Sequence, residues 1–485
     1  MSRPSTPRTP ASRDLRLVVP TLAAFISTAA TVGVRPALAA AVTVVLALSA
    51  GVAALWSAAA AGSAHRWPGA GGLGRQLRLD RAALGVLAVA CAVGAVAAGV
   101  QAARSHALAA HPLTGLIDAR TGVEGVVTGF DRPIRGGGVM VPLRVEETGT
   151  GPRARAAELD VVLLARDGWR GLPPGTRVQA SVTVLEPRSA GETPALRALT
   201  SPRVIGEPGW TGRAPASVRA TLRAVSDRAI GVELAPLLPS FVLGDESGVS
   251  TEARDEFRAS GLAHLAAVSG ANTTYVVGTV LLTAAALGAR RRTRIAAAGV
   301  TLVAFVAVVG PEPAVLRAAG TGAIGLAALG AHRTGRPLAA LAAVVLVVAM
   351  MDPTTATGAG FVLSVSATAA LVVAARSVAT RIRRPWMPGP VADVLAVCVV
   401  AHFATLPVLM ATGLGAGPWS LPANIAVAPV VPMVTVLGTS AAALGPVWED
   451  GAVLLAAACT PALWWLDAVA GFAAGLPGSP QFTPA

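Results

Sequence analysis

The chain has 485 residues, 53% of them hydrophobic and 13% charged, with a mean hydropathy of +0.63; soluble globular chains carry about 25% charged residues. That deficit, gathered into long apolar runs, excludes an ordinary soluble domain and predicts a polytopic α-helical membrane protein of about eleven spans of ~20 residues, with one small inserted soluble domain. The net charge of +13 is carried by arginine alone. Without lysine the chain has no P-loop, which needs Gly-Lys-Ser/Thr, and no Schiff-base lysine, so directed transport through it needs a motor partner or a gradient.

The first 104 residues read as a tail and three spans. The Arg- and Pro-containing N-terminus reads as a cytoplasmic tail rather than a removed signal peptide. Spans at 16–34 and 36–61 are joined by Arg35-Pro36 into a helical hairpin. A polar, Gly-rich stretch with Arg66, Arg75, Arg78 and Arg81 follows, then a span at 82–103.

Between 105 and 212 no run is long enough to span. Short alternating segments appear instead: GVEGVVTGF, GGVMVPLRVEE, AELDVVLLAR and TRVQASVTVLEP. Turn clusters such as Arg135-Gly136-Gly137-Gly138 and Leu172-Pro173-Pro174-Gly175 separate them. Period-two alternation with this punctuation predicts a small β-barrel or sandwich. About five strands in ~100 residues fit an OB-like barrel, with another small β-domain as the alternative. Twelve arginines against eleven acids over 106–212 leave the domain near neutral, which weakens a phosphate-binding reading. Base-stacking candidates are few: Phe130, Trp169 and Trp210.

Residues 213–260 read as amphipathic, interfacial helices, SVRATLRAVSDRAI above all. They include the polar stretch Leu243-Gly244-Asp245-Glu246-Ser247-Gly248. From 261 to 485 a bundle is expected, with runs at 262–289, 293–309, 313–330, 337–351, 357–378, 389–411, 418–445 and 451–474. Arginine-rich loops at the N-terminus, 66–81, 290–294, 333–336 and 381–384 alternate with arginine-free loops at 310–313, 352–356 and 412–419. The positive-inside rule therefore predicts a cytoplasmic N-terminus, an extracellular β-domain and an external C-terminal tail. Trp56, Trp386, Trp419, Trp448 and Trp464 fall near predicted span ends, as interfacial anchors do.

Polar groups at bilayer depth are costly and mark pathways or buried partners. His264, Ser269, Asn272 and Thr273 enter a span beside Gly261 and Gly270, which permit close packing or a break. A polar, interrupted span points to a pathway in transport proteins; small-residue packing is the alternative. Arg317 lies one turn into a span, after Gly310-Pro311-Glu312-Pro313. It is read either as a phosphate contact or as half of an ion pair with Glu312 or Asp245. Pro407, then Asn424 with Pro429 and Pro432, predict a kinked or re-entrant segment.

No catalytic set emerges. Ser269 with His264 lacks a nucleophile-elbow context, and the chain is expected not to be an enzyme. Cys91, Cys398 and Cys459 stand apart in apolar runs, with no CxxC. Neither a metal nor another cofactor is expected.

Five ordered motifs carry a family resemblance. Leu-Gly-Asp-Glu-Ser-Gly at 243–248 resembles the LGDRSGL element of the ComEC/Rec2 competence proteins. GLAHLAAVSG at 261–270 resembles that family's GLAHLLAVSG, and PAVLRAA at 313–319 its PSVLRA pattern. Asp352-Pro353 with Gly360-Phe361-Val362-Leu363-Ser364 is similar to DP…GFQLSF, and Thr405-Leu406-Pro407 with Asn424 and Pro429 to ATLP…AN…P. The 106–212 region is similar to the family's outer OB-like domain in position and pattern.

The resemblance implies an inner-membrane channel for uptake of single-stranded DNA during natural transformation. Its pathway candidates are Asp245, His264, Ser269, Asn272, Arg317, Ser364 and Asn424. Gly244, Gly248, Gly261, Gly270, Pro313, Asp352, Pro353, Pro407 and Pro429 form the structural frame. Implied partners are single-stranded DNA, membrane lipid, a separate DNA receptor, a nuclease and a cytoplasmic ATP-driven translocase, with a homo-oligomer possible in principle. The competing function is an orphan membrane transporter or scaffold for another solute or polyanion. The chain departs from the pattern at Ala271-Asn272, where the family has SGLH, and it ends at Ala485 without the metallo-β-lactamase-like domain that many members carry.

Overall fold

The computed structural model describes residues 18–31, 73–134, 137–149, 155–187, 192–266, 269–332, 336–412 and 417–480. The expected second span at 36–61, the Arg35-Pro36 link, Trp56 and Arg66 lie outside these residues, as do the side chains of Arg75, Arg78 and Arg81. Helix α1 (Val18–Thr31) packs along α2 (Leu73–Ala109). At 1.5 Å per residue the 37 residues of α2 extend ~55 Å. It begins well before the expected start at 82, because the Arg-, Gln- and Leu-rich segment ahead of that point consists of good helix formers.

Seven strands follow: β1 (Arg120–Val127), β2 (Arg132–Pro133), β3 (Val139–Thr148), β4 (Arg155–Ala165), β5 (Arg177–Val184), β6 (Leu196–Ala198) and β7 (Arg203–Gly206). β1 pairs with both β3 and β5, and the order β1-β3-β4-β6-β5 returns to β1, so five strands close a barrel. The β4–β6 pairing is parallel and the other ring pairings are antiparallel. The alternation that predicted the strands sends one face inward: Val139, Val141, Leu143 and Val145 of β3 meet Val178, Ala180, Val182 and Val184 of β5 in one core. Trp169 belongs to that core at 1% exposure, with its indole N–H donating to the Thr200 carbonyl. This removes Trp169 as a base-stacking candidate.

The remaining helices form the bundle. They are α3 (Trp210–Ala229), α4 (Leu237–Leu243), α5 (Thr251–Ala259), α6 (Ala263–Ala266), α7 (Gly270–Ala286), α8 (Arg291–Val309), α9 (Pro313–Gly330), α10 (Pro337–Met351), α11 (Pro353–Thr357), α12 (Ala359–Ile382), α13 (Gly389–Ala411), α14 (Ser420–Val427), α15 (Val431–Leu444) and α16 (Glu449–Ala474). Among them α8, α9, α12, α13 and α16 are long and apolar enough to cross a membrane, and α14 with α15 makes a sixth if the bent pair is one span. The expected count of about eleven is not reached among the described residues. The apolar helices α1 and α10 are short, and α7 has 17 residues.

The 56° bend between α14 and α15 is the interruption predicted at 429–432. Pro429 sits in the break and Pro432 in the first turn of α15, where its missing N–H costs nothing. Pro407, by contrast, is carried inside a continuous α13.

All seven residues of α4 are buried, as expected of a helix that is apolar all round. Around it pack α3, α15 and α16. Leu222 and Val225 of α3 are completely buried in that core. The segment read as an interfacial helix therefore inserts one face into the bundle, because Pro215, Arg219, Leu222 and Ser226 recur at the 4-3-4 spacing of a buried helical stripe. Trp386, Trp448 and Trp464 are exposed on the bundle.

Candidate functional site

The first turn of α7 is the polar centre of the bundle. Ser269 caps it: its hydroxyl accepts from the Asn272 amide and donates to Asn272 Oδ1 at 3.1 Å. Such a cap satisfies one of the four amides that a helix start leaves open. The Asn272 side chain is 4% exposed. Its amide donates to the Phe241 carbonyl at 2.8 Å, and its oxygen accepts from Thr435 at 3.3 Å. One asparagine thus ties α7 to α4 and α15.

Two residues along a helix are ~200° apart, so Gly270 faces away from Asn272. It faces Arg317 of α9, and a Cβ at Gly270 would overlap the Arg317 Nη2. Arg317 is 7% exposed. Its Nε donates to Ser364 Oγ of α12 at 2.7 Å. The expected ion pair of Arg317 with Glu312 or Asp245 does not form, because both acids are engaged elsewhere: Glu312 with Arg132, Asp245 with Arg223.

Asp245 marks a second place, the seam between barrel and bundle. It is buried, and it accepts from Arg223 and from the Ser247 hydroxyl at 2.7 Å. Burial pushes this carboxyl up, but the Arg223 and Ser247 hydrogen bonds and the nearby Arg219 charge outweigh it and hold it below the usual carboxylate range. Gly244 caps α4 in the left-handed conformation, and Gly248 lies against Pro236.

Arg219, 4% exposed, joins the same seam. It donates to the carbonyls of Val308 at 2.8 Å, Val309 at 2.7 Å and Leu243 at 2.8 Å. These are the last residues of α8 and α4, whose final carbonyls lack partners within the helix, and a cation there also meets the negative helix ends. Its guanidinium carbon lies 3.8 Å from the ring centroid of Phe130, in the β1–β2 turn. Burial pushes Arg219 down to about 10, with Asp245 opposing, which leaves it charged at neutral pH. Phe130 is thereby occupied, so it too drops out as a base-stacking candidate, while Trp210 stays 78% exposed.

A third contact joins the GLAHLAAVSG segment to the bent pair. Asn424 of α14 donates to the Ser420 carbonyl at 2.7 Å and to the Gly261 carbonyl at 3.4 Å. Gly261 has φ +76°, and a Cβ there would collide with Ser420. His264 is exposed, and the Ser269 hydroxyl is committed to Asn272 rather than to it. Asp352 caps α11 through Thr354 and Thr355, both at 2.6 Å, and pairs with Arg104 of α2 at 3.0 Å. Burial raises the Asp352 carboxyl, but these partners hold it below its ordinary value. Pro353 and Pro313 open α11 and α9 in first-turn positions that tolerate proline.

The five motifs thus sit at three linked contacts, all within one stretch of chain. A profile of the competence-protein family matches residues 241–484, the whole of that stretch. The chain belongs to the competence-protein family. No curated protein and no solved structure matches it. The competence family implies a role in competence and DNA uptake, and the ComEC/Rec2 resemblance read from the motifs stands. The structure brings Ser269, Asn272, Arg317 and Ser364 together around the first turn of α7. It sets Asp245 at the seam and Asn424 at the bent pair.

Arg219, Arg223 and Thr435 were missed in the sequence. The available signal was Arg219 itself, an arginine on the apolar stripe of an amphipathic helix. Among the described residues no group of three or more His, Cys, Asp or Glu is placed to hold a metal.

Proposed function

We propose that the chain is the inner-membrane conduit through which single-stranded DNA enters during natural transformation. The observation that carries this reading is the convergence of polar side chains from four bundle helices, α7, α9, α12 and α15, and of a backbone carbonyl of α4, on one interrupted span start, within a region that belongs to the competence family. Polar, broken helices inside a bundle are where transport proteins bind their cargo.

In this reading the barrel is an OB-like domain on the outer face and the N-terminus is cytoplasmic. The Phe130–Arg219 and Arg132–Glu312 contacts put the barrel beside the 309–312 link, and Arg104–Asp352 puts the end of α2 beside the 352–356 turn. Both links are arginine-free, which supports a common outer side. The chain is not an enzyme in this reading. A separate receptor delivers DNA, a separate nuclease removes one strand, and a cytoplasmic ATP-driven translocase pulls the other. Surrounding lipid, and self-association into a homo-oligomer, complete the set of partners.

One observation favours the second reading, a transporter or scaffold for another solute or polyanion. The barrel arginines Arg144, Arg170 and Arg177 pair with Asp160, Asp167 and Glu146 and offer phosphate little free charge. Uptake of labelled DNA in a deletion strain, with complementation by the full chain, separates the two. Loss of uptake that the gene restores supports the conduit; undiminished uptake in the deletion removes it.

A further inference from the structure

Arg317 differs from every other buried charge in the bundle by what surrounds it. Its Nε is bonded to Ser364, while its two terminal nitrogens have no hydrogen-bond partner and no carboxylate among the described residues. The acids of the chain are nearly all accounted for. Of the 26 Asp and Glu, only Asp14 and Asp80 have side chains outside the described residues. The guanidinium points at the start of a 17-residue helix, whose first amides lack internal partners and carry a partial positive charge. Thr273 follows one turn after Gly270 on the same face. Its hydroxyl is buried with no partner. Gly270, lacking a side chain, lets the Arg317 fork come up against the helix start, where a Cβ would overlap Nη2. A full and a partial positive charge, a free planar fork and an orphaned hydroxyl meet here without an anion.

We propose that Arg317, Thr273 and the α7 N-terminus form a binding site for a single phosphate group, either free phosphate or one phosphodiester of a nucleic acid strand. The fork matches two oxygens of a tetrahedral oxyanion, a geometry that a lone chloride does not use. The helix amides and the Thr273 hydroxyl supply donors to the remaining oxygens. Ser364 holds the fork in orientation through Nε and leaves both terminal nitrogens for the ligand. Only the phosphodiester source rests on the conduit reading.

The full chain, purified in detergent, is titrated with inorganic phosphate at constant ionic strength balanced by gluconate, and separately with a dT oligonucleotide. The expected result is a saturable rise in Tm, with binding weakened at least about tenfold in Arg317→Gln, the loss of a charge-assisted contact. Arg317→Lys keeps the charge without the fork and binds between the two; it serves if Arg317→Gln does not fold. A shift with phosphate alone assigns the free ion, and one with the oligonucleotide that phosphate competes away assigns the phosphodiester. No shift with either ligand, or an equal shift in the Arg317 variants, overturns the site. Undiminished DNA uptake in a deletion strain removes the conduit and leaves this binding result standing.

Discussion

Two arginines, Arg219 and Arg317, are buried to nearly the same extent, 4% and 7% exposed, and live under opposite conditions. Arg219 spends its guanidinium on three carbonyls at two helix ends, with an aromatic ring over it and Asp245 nearby. Arg317 has one hydroxyl. A buried charge is tolerated when its hydrogen bonds are filled, so the first arrangement is complete in the protein alone, and the second is complete only with something added. Burial alone does not tell a structural arginine from a binding one; the count of filled donors does.

The sharpest way to break the comparison is Arg219→Gln. It leaves the buried carbonyls of Val309 and Leu243 and the half-buried one of Val308 without their donor, and each buried group of this kind costs about 1–3 kcal/mol. Denaturant unfolding of the full chain in detergent is expected to show a loss of roughly 3 kcal/mol or more. A loss no larger than that of Arg317→Gln would show that the filled donors carry no weight. Asn272→Ala comes next, at about 1–3 kcal/mol. It removes the link between α7, α4 and α15 and leaves the Phe241 carbonyl without its donor.

Much of this was legible in the sequence, and the failures have physical causes. Period-two alternation gave the barrel strands because each strand buries one face. The Pro429–Pro432 pair gave the bend between α14 and α15 because proline disfavours helical backbone in the residue before it and is well tolerated in the first turn of a new helix, whereas Pro407 alone left α13 continuous. Trp169 was misread because its burial depends on packing against strands distant in the chain, and a turn sequence around Asp167-Gly168 carries no sign of that. Of the two readings of Arg317, the ion pair with Glu312 or Asp245 fails. Asp245 and Glu312 are claimed by Arg223 and Arg132, 22 and 180 residues away from their acids, and pairings over such separations leave no local pattern. Arg219 was not singled out, because its acceptors are helix ends, and backbone carbonyls have no sequence signature.

Asp245 sharpens the seam half of the comparison through pH. Its carboxyl titrates below its ordinary value in the folded chain, so its contribution to stability is complete above the ordinary pKa of about 3.9. That contribution is lost as pH falls from there through the folded value. Asp245→Asn is expected to cost about 1–2 kcal/mol near neutrality, reduced by the 43% exposure of the Arg223 side chain. It is also expected to flatten the decline in stability between pH 4 and lower values; an unchanged acid limb in the variant would show that Asp245 is not the linked group. Arg132→Gln, at an ion pair whose arginine is 49% exposed, is expected to cost well under about 1 kcal/mol.

The smallest stability effect belongs to Arg317→Gln, and it is the most informative. Removing a charge that has no counter-charge in the protein also removes its desolvation cost, and replacing buried ions by neutral groups is often neutral or stabilising. The Ser364 hydroxyl is half-buried, so it does not become a sealed orphan. Stability of the purified chain without added phosphate is therefore expected to change by less than about 1 kcal/mol in either direction, while DNA uptake by the complemented deletion strain is expected to fall. A loss of stability on the scale of Arg219→Gln would show that Arg317 has a structural partner, and the contrast between the two arginines would then reduce to one of position. Intact stability with lost uptake would separate holding the bundle together from serving what passes through it, with Arg219 on the first side and Arg317 on the second.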